Sequence, residues 1–147
     1  MSDDWKNTRY IIIFSVINVF LLTGMGYILS AQPDFVISVN PIASNGVVPM
    51  VTKAEVTVEN VYNIWGKNYK HQIFLNSEIV SGPEANPDIK IDLDPIGVDP
   101  ANSELPIKSK MKIAIGSNAT SGQYQIKITG FGGDGKERSC MLILRVH

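Results

Sequence analysis

The sequence predicts an all-β domain, an antiparallel β-sandwich of about seven strands, behind one transmembrane α-helix. Three observations carry this. Residues 10–29 are uncharged and mostly apolar. From Gln32 onward, apolar and polar residues alternate in seven short runs separated by clusters of Gly, Pro, Asn and Asp. The 147 residues contain one cysteine, Cys140, so the core and not an internal disulfide must hold the domain. That cysteine lies inside an apolar run, which predicts an inert, buried thiol. The formal charge is −1, against a nucleic-acid surface built on bulk positive charge.

Taken in order, residues 1–9 form a short tail and residues 10–30 the membrane span. Twenty helical residues, 10–29, at ~1.5 Å each give about 30 Å, one hydrocarbon thickness. A cleaved signal peptide has a shorter apolar region, about 7–15 residues, and small residues before the cut. Here Leu29 stands where a cut after Ala31 needs a small residue, so a retained anchor is expected. Lys6 and Arg9 precede the span, and no Lys or Arg follows until Lys53. The basic side stays in the cytoplasm and residues 35–147 lie outside it, at the plasma membrane. Tyr10 and Tyr27 fall near the two interfaces.

Within the span, Ser15, Asn18, Leu22 and Gly26 share one helical face. A mid-membrane amide is costly unless it is hydrogen-bonded, and a stripe of small and polar residues admits a second helix. A helix–helix contact is expected there. The link, residues 31–34, is short, holds Pro33 and lacks glycine, so the domain sits close to the bilayer.

The strand runs follow. They centre on Phe35, Ile37 and Val39; on Ala54, Val56 and Val58; on Ile73 and Leu75; on Ile89, Ile91 and Leu93; on Met111, Ile113 and Ile115; on Tyr124, Ile126 and Ile128; and on Leu142, Leu144 and Val146. Seven strands in about 115 residues is the size of one sandwich.

The stretch "TSGQYQI", residues 120–126, resembles the start of strand F in immunoglobulin-like domains. The whole segment "SGQYQIKITGFGGDGKERSCMLILRV" resembles the closing hairpin of bacterial and archaeal members. The resemblance is good over residues 116–147, loose over 34–115, and lacks both disulfide cysteines. It implies that Tyr124 forms a tyrosine corner, its hydroxyl returning to upstream backbone, and that Ile126 stands where antibody domains place cysteine. Such a fold implies no function by itself.

Strand A leaves the membrane, so alternating strand direction returns the B–C and F–G loops to that end. The B–C segment "NVYNIWGKNY" carries Tyr62, Trp65 and Tyr69, which are expected to face the headgroups or a neighbouring subunit, unless Trp65 is the core tryptophan near strand C.

Other features are weighed as sites. "GFGGDGKE", residues 130–137, nearly matches a phosphate-binding loop, but Glu137 replaces the Ser/Thr and a strand follows, so a hairpin turn explains it. Asp92, Asp94 and Asp99 are calcium candidates in an acidic stretch. Asp92 and Asp94 fall on an outward strand face without ligand-loop spacing, which favours a solvated surface. His71 and His147 have no partner at ligand spacing, and no metal or cofactor is expected. "NAT" at Asn118 is a possible glycosylation sequon. Met141 and Ile143 form an outward apolar pair, either a protein contact or covered by the chain itself.

No nucleophile motif appears, and a non-catalytic role is expected. The reading favoured is an accessory subunit of a larger membrane complex, with other membrane subunits and the lipid bilayer as partners. Archaeal copper-containing ammonia monooxygenases have small accessory membrane chains of this kind, a comparison no motif carries. The alternative is a cell-surface adhesion or ligand-binding module acting alone.

Overall fold

The computed structural model describes residues 33–61, 68–85, 87–103 and 106–147. The alternating runs become strands that bury one face each. In chain order they are β1 (Asp34–Asn40), β2 (Ala43–Gly46), β3 (Met50–Val61), β4 (Ile73–Ser81), β5 (Ile89–Asp94), β6 (Gly97–Val98), β7 (Ile107–Ile115), β8 (Gly122–Gly132) and β9 (Glu137–Val146). All seven expected strands are present. The four-residue β2 and two-residue β6 are additions the alternation did not announce.

One sheet has the order β1-β3-β7-β5 and the other β2-β9-β8-β4-β6. Lettered by the immunoglobulin convention, the first is A-B-E-D. The second contains C-F-G, with β2 and β6 added at its two edges. All pairings are antiparallel except β2 with β9, which is parallel. The described residues form an immunoglobulin-like β-sandwich. They contain no helix long and apolar enough to cross a membrane, and the expected span at residues 10–30 lies outside them.

The core is built from the inward halves of the runs. Phe35, Val56, Val58, Met111 and Ile113 of one sheet meet Ile73, Leu75, Tyr124, Ile126, Ile128, Leu142 and Leu144 of the other, all buried. Ile126 of β8 shares this buried cluster with Val56 and Val58 of β3, so aliphatic packing stands where a disulfide between strands B and F would cross the sheets. At the edge, Ile89, Ile91 and Leu93 are half-buried against this cluster.

The two outer faces differ. On the first sheet, cross-strand rows set Asp92 beside Lys112 and Lys53, and Asp94 beside Lys110 and Glu55. Lys108 reaches Glu55 at 2.7 Å. Exposed pairs of this kind add little stability each, but they keep the face solvated. On the second sheet, Phe74 lies directly opposite Phe131. They are 51% and 43% exposed.

Candidate functional site

Polar clusters sit at both ends of the sandwich. At one end, the hydroxyl of Tyr124 lies 2.7 Å from the carbonyl oxygen of Thr120 and 3.0 Å from Glu84 Oε1. The same Glu84 oxygen accepts the Thr120 N–H at 2.9 Å. The phenol has one proton, and the shorter distance assigns it to the Thr120 carbonyl. The Thr120 N–H is the main cause lowering the Glu84 carboxyl below its usual range. Burial, followed by the Glu84 carboxylate, raises the Tyr124 phenol.

The backbone is shaped for this corner. Gly122 has φ +148°, and a Cβ there would lie 2.4 Å from the Pro83 ring. At Gly82 a Cβ would lie 2.3 Å from the Tyr124 ring. Glu84 carries no sequence signal as a partner, because 40 residues separate it from Tyr124.

The opposite end is where the chain arrives from residue 32. Lys136, in the hairpin between β8 and β9, donates from Nζ to the Pro33 carbonyl at 3.0 Å and to Asp134 Oδ2 at 2.6 Å. Arg138 pairs with Asp34, the next residue along. Tyr69 completes the cluster, its hydroxyl donating to Asp134 Oδ1 at 2.5 Å. The Tyr69 ring stacks at a tilt on Phe35, with centroids 4.9 Å apart, and Lys136 Nζ lies 5.4 Å from its centroid. Gly132 permits the closeness, since a Cβ there would lie 1.9 Å from the Tyr69 oxygen.

Burial works against charge on Asp134. Hydrogen bonds from the Lys136 ammonium, the Tyr69 phenol and the Lys136 N–H outweigh it and hold the carboxyl well below the usual carboxylate range. Burial, then the bond to Asp134, pushes the Tyr69 phenol far above its ordinary value. A carboxylate saturated by donors and held this low is a poor general base at neutral pH, so the cluster acts as a clamp on the arriving chain.

The chain matches no sequence-family model and no curated protein. Its likenesses are to solved structures. A segment of a family 123 glycoside hydrolase from Clostridium perfringens superposes with TM-score 0.51 at 12% identity, over 78% of this chain and 27% of the hydrolase. The chain thus spans about a quarter of that enzyme. A conjugative transposon lipoprotein from Bacteroides eggerthii gives 0.48 at 10% identity, over 75% of this chain and 95% of the lipoprotein. Murine CRIg gives 0.40 at 12%, over 80% and 99%. At these identities the likeness concerns the fold alone.

The expected site residues fall as follows. Ser15, Asn18, Leu22 and Gly26 lie outside the described residues, as do Tyr62 and Trp65. Tyr69 is corrected: it is 1% exposed and belongs to the core, because its ring packs on Phe35, its N–H donates to Asn60 Oδ1 and its hydroxyl donates to Asp134. It presents no aromatic face to a bilayer or partner. Asp92 and Asp94 face lysines on the outer sheet surface. Asp99 accepts from the Ala101 N–H and the Asn102 amide in its own turn. Among the described residues no group of three or more His, Cys, Asp or Glu is placed to hold a metal ion.

Residues 133–136 form a hairpin turn, with Gly135 at φ +85° and the Gly132 N–H bonded to the Lys136 carbonyl. Asn118 is exposed, and its N–H points to Asp88 Oδ2 at 3.4 Å. Met141 is exposed, whereas Ile143 is half-buried beside β2.

Cys140 is half-buried on the inward side of β9, and burial pushes its thiol up to about 11. Alkylation by iodoacetamide at neutral pH is therefore expected to be roughly 10²-fold slower in the folded chain than after denaturation, following the thiolate fraction. Mass spectrometry of a time course reads this. Equal rates would mean the thiol is not shielded.

Proposed function

We propose that the chain is a non-catalytic, single-pass membrane protein, an accessory subunit that contributes an extracytoplasmic immunoglobulin-like domain to a larger membrane complex. The observation that carries this reading is the clamp on Pro33 and Asp34. Three residues separate Leu29, the last of the apolar stretch, from Pro33. The domain grips Pro33 and Asp34 through Lys136 and Arg138, and this supports a domain held near the bilayer and not displayed on a stalk. The flanking Lys6 and Arg9 support the orientation, and the Asn18 stripe supports a helix partner in the membrane.

Gentle solubilisation, native electrophoresis and mass spectrometry of the band test the reading. The chain is expected to migrate with other membrane proteins, and Asn18→Leu to weaken that association. The co-migrating chains would reveal whether the complex is a monooxygenase of the archaeal ammonia-oxidising kind. A lone monomer, indifferent to Asn18→Leu, would remove the subunit reading and leave the cell-surface binding module.

A further inference from the structure

With Tyr69 in the core, the described residues near the chain-arrival end still hold one exposed aromatic pair. Phe74 of β4 and Phe131 of β8 face each other on the outer side of the second sheet. Among the described residues they are the exposed Phe and Tyr rings, since Phe35, Tyr69 and Tyr124 are buried. Gly97 of β6 lies opposite Phe74 and leaves that ring's flank open. Phe131 precedes Gly132, the residue that closes the hairpin onto Lys136, and Lys136 in turn holds Pro33. The pair therefore lies at the level where the chain arrives. Four Cα steps from Leu29 to Pro33 span at most roughly 14 Å.

We propose that Phe74 and Phe131 sit in the headgroup layer of the outer leaflet and lay this face of the second sheet against the bilayer. The proposal rests on the membrane-anchor reading above and adds a pose to it. Size favours lipid over protein as the occupant. Two half-exposed Phe rings offer roughly 200 Å² of apolar surface, small against the apolar share of the ~800 Å² per partner that a stable protein interface buries. An interfacial contact needs only a few apolar side chains at the right depth, because the anchor has already removed the translational cost of reaching the surface. The nearest charge on this face is Glu137, directly opposite Phe131, and it pairs with Lys127 at 3.9 Å, while Lys136 is paired with Asp134 and Arg138 with Asp34. The outer face of the other sheet, with its lysine and carboxylate rows, is the side left to water.

The test uses the full chain in phosphatidylcholine vesicles, in a Cys140→Ser background. Phe131→Cys and, on the opposite face, Lys110→Cys are each labelled with a nitrobenzoxadiazole dye. Quenching by a nitroxide on the lipid headgroup is expected to be at least threefold stronger at position 131 than at 110. Phe74→Cys supplies the same reading should Phe131→Cys fail to fold. Equal quenching at the two faces would overturn the proposal. So would a label at 131 shielded from aqueous iodide yet untouched by the lipid nitroxide, which would mean a protein covers the face. Release of the chain by alkaline carbonate would overturn the anchor reading along with it, whereas a retained chain without quenching overturns the pose alone.

Discussion

Tyr124→Ala is expected to destabilise the domain by about 3–5 kcal/mol, and Tyr124→Phe by about 1–2 kcal/mol. The two substitutions separate the ring from the hydroxyl. The ring is fully buried in the core, and Gly82 packs directly on it, so its removal opens a cavity that β4 and β8 cannot close by collapse. Phenylalanine keeps the ring and deletes one buried hydrogen bond, leaving the Thr120 carbonyl without the phenol proton. Denaturant unfolding of the detergent-solubilised chain, followed by near-UV circular dichroism, reads both. A Phe variant as stable as the parent would show that the corner hydroxyl contributes nothing. A Phe variant as unstable as the Ala variant would show that the ring contributes nothing beyond its anchor.

The second large effect is expected at the opposite end. Gly132→Ala places a methyl group where the Tyr69 oxygen and Asp134 Oδ1 now stand, the latter 2.7 Å away. Overpacking and an unpaired buried phenol together make a loss of about 3 kcal/mol the expected result. The same cluster gives stability a pH dependence with a defined sign. Asp134 is held below its unfolded value, near 3.9, so its contribution is complete above that pH and is lost as pH falls through the folded value. Tyr69 is held above its unfolded value, near 10, so its contribution is complete below that pH and is lost as pH rises toward the folded value. Asp134→Asn is expected to flatten the acid limb between roughly pH 2 and 5. Unfolding free energies of parent and variant across that range check it, and parallel curves would mean Asp134 is not held by Lys136 and Tyr69.

Where a run alternated, the sequence was legible. Seven strands follow from period-two patterns, because each buries one face and the pleat leaves a mark in composition. β2 and β6 left none. "ASNG" is polar, and its place beside β9 comes from tertiary pairing and from the 2.8 Å contact of Ser44 with Thr52. β6 exists only because Gly97 and Val98 meet Phe74 and Ile73. Tyr69 carries no burial signal, because exposed Lys70, His71 and Gln72 separate it from β4 and its core contacts are with Phe35 and Asp134, distant in sequence. Its partner Asp134 lies 65 residues away, inside a stretch fully explained as a turn. Such contacts depend on which loops share an end of the sandwich. Antiparallel counting from strand A places the B–C and F–G loops together, but not the atoms within them. Phe74 and Phe131 carry no signal for a related reason: each reads as an ordinary strand residue until register sets them opposite one another.

The most direct measurement concerns sidedness and attachment together. Asn118→Cys in the Cys140→Ser background puts one thiol on an exposed loop at the end far from Pro33. In sealed, right-side-out vesicles a membrane-impermeant maleimide is expected to label it without permeabilisation, and the labelled chain to stay in the pellet after alkaline carbonate. Labelling that requires detergent, or a chain that carbonate releases, would contradict an anchored domain outside the cytoplasm.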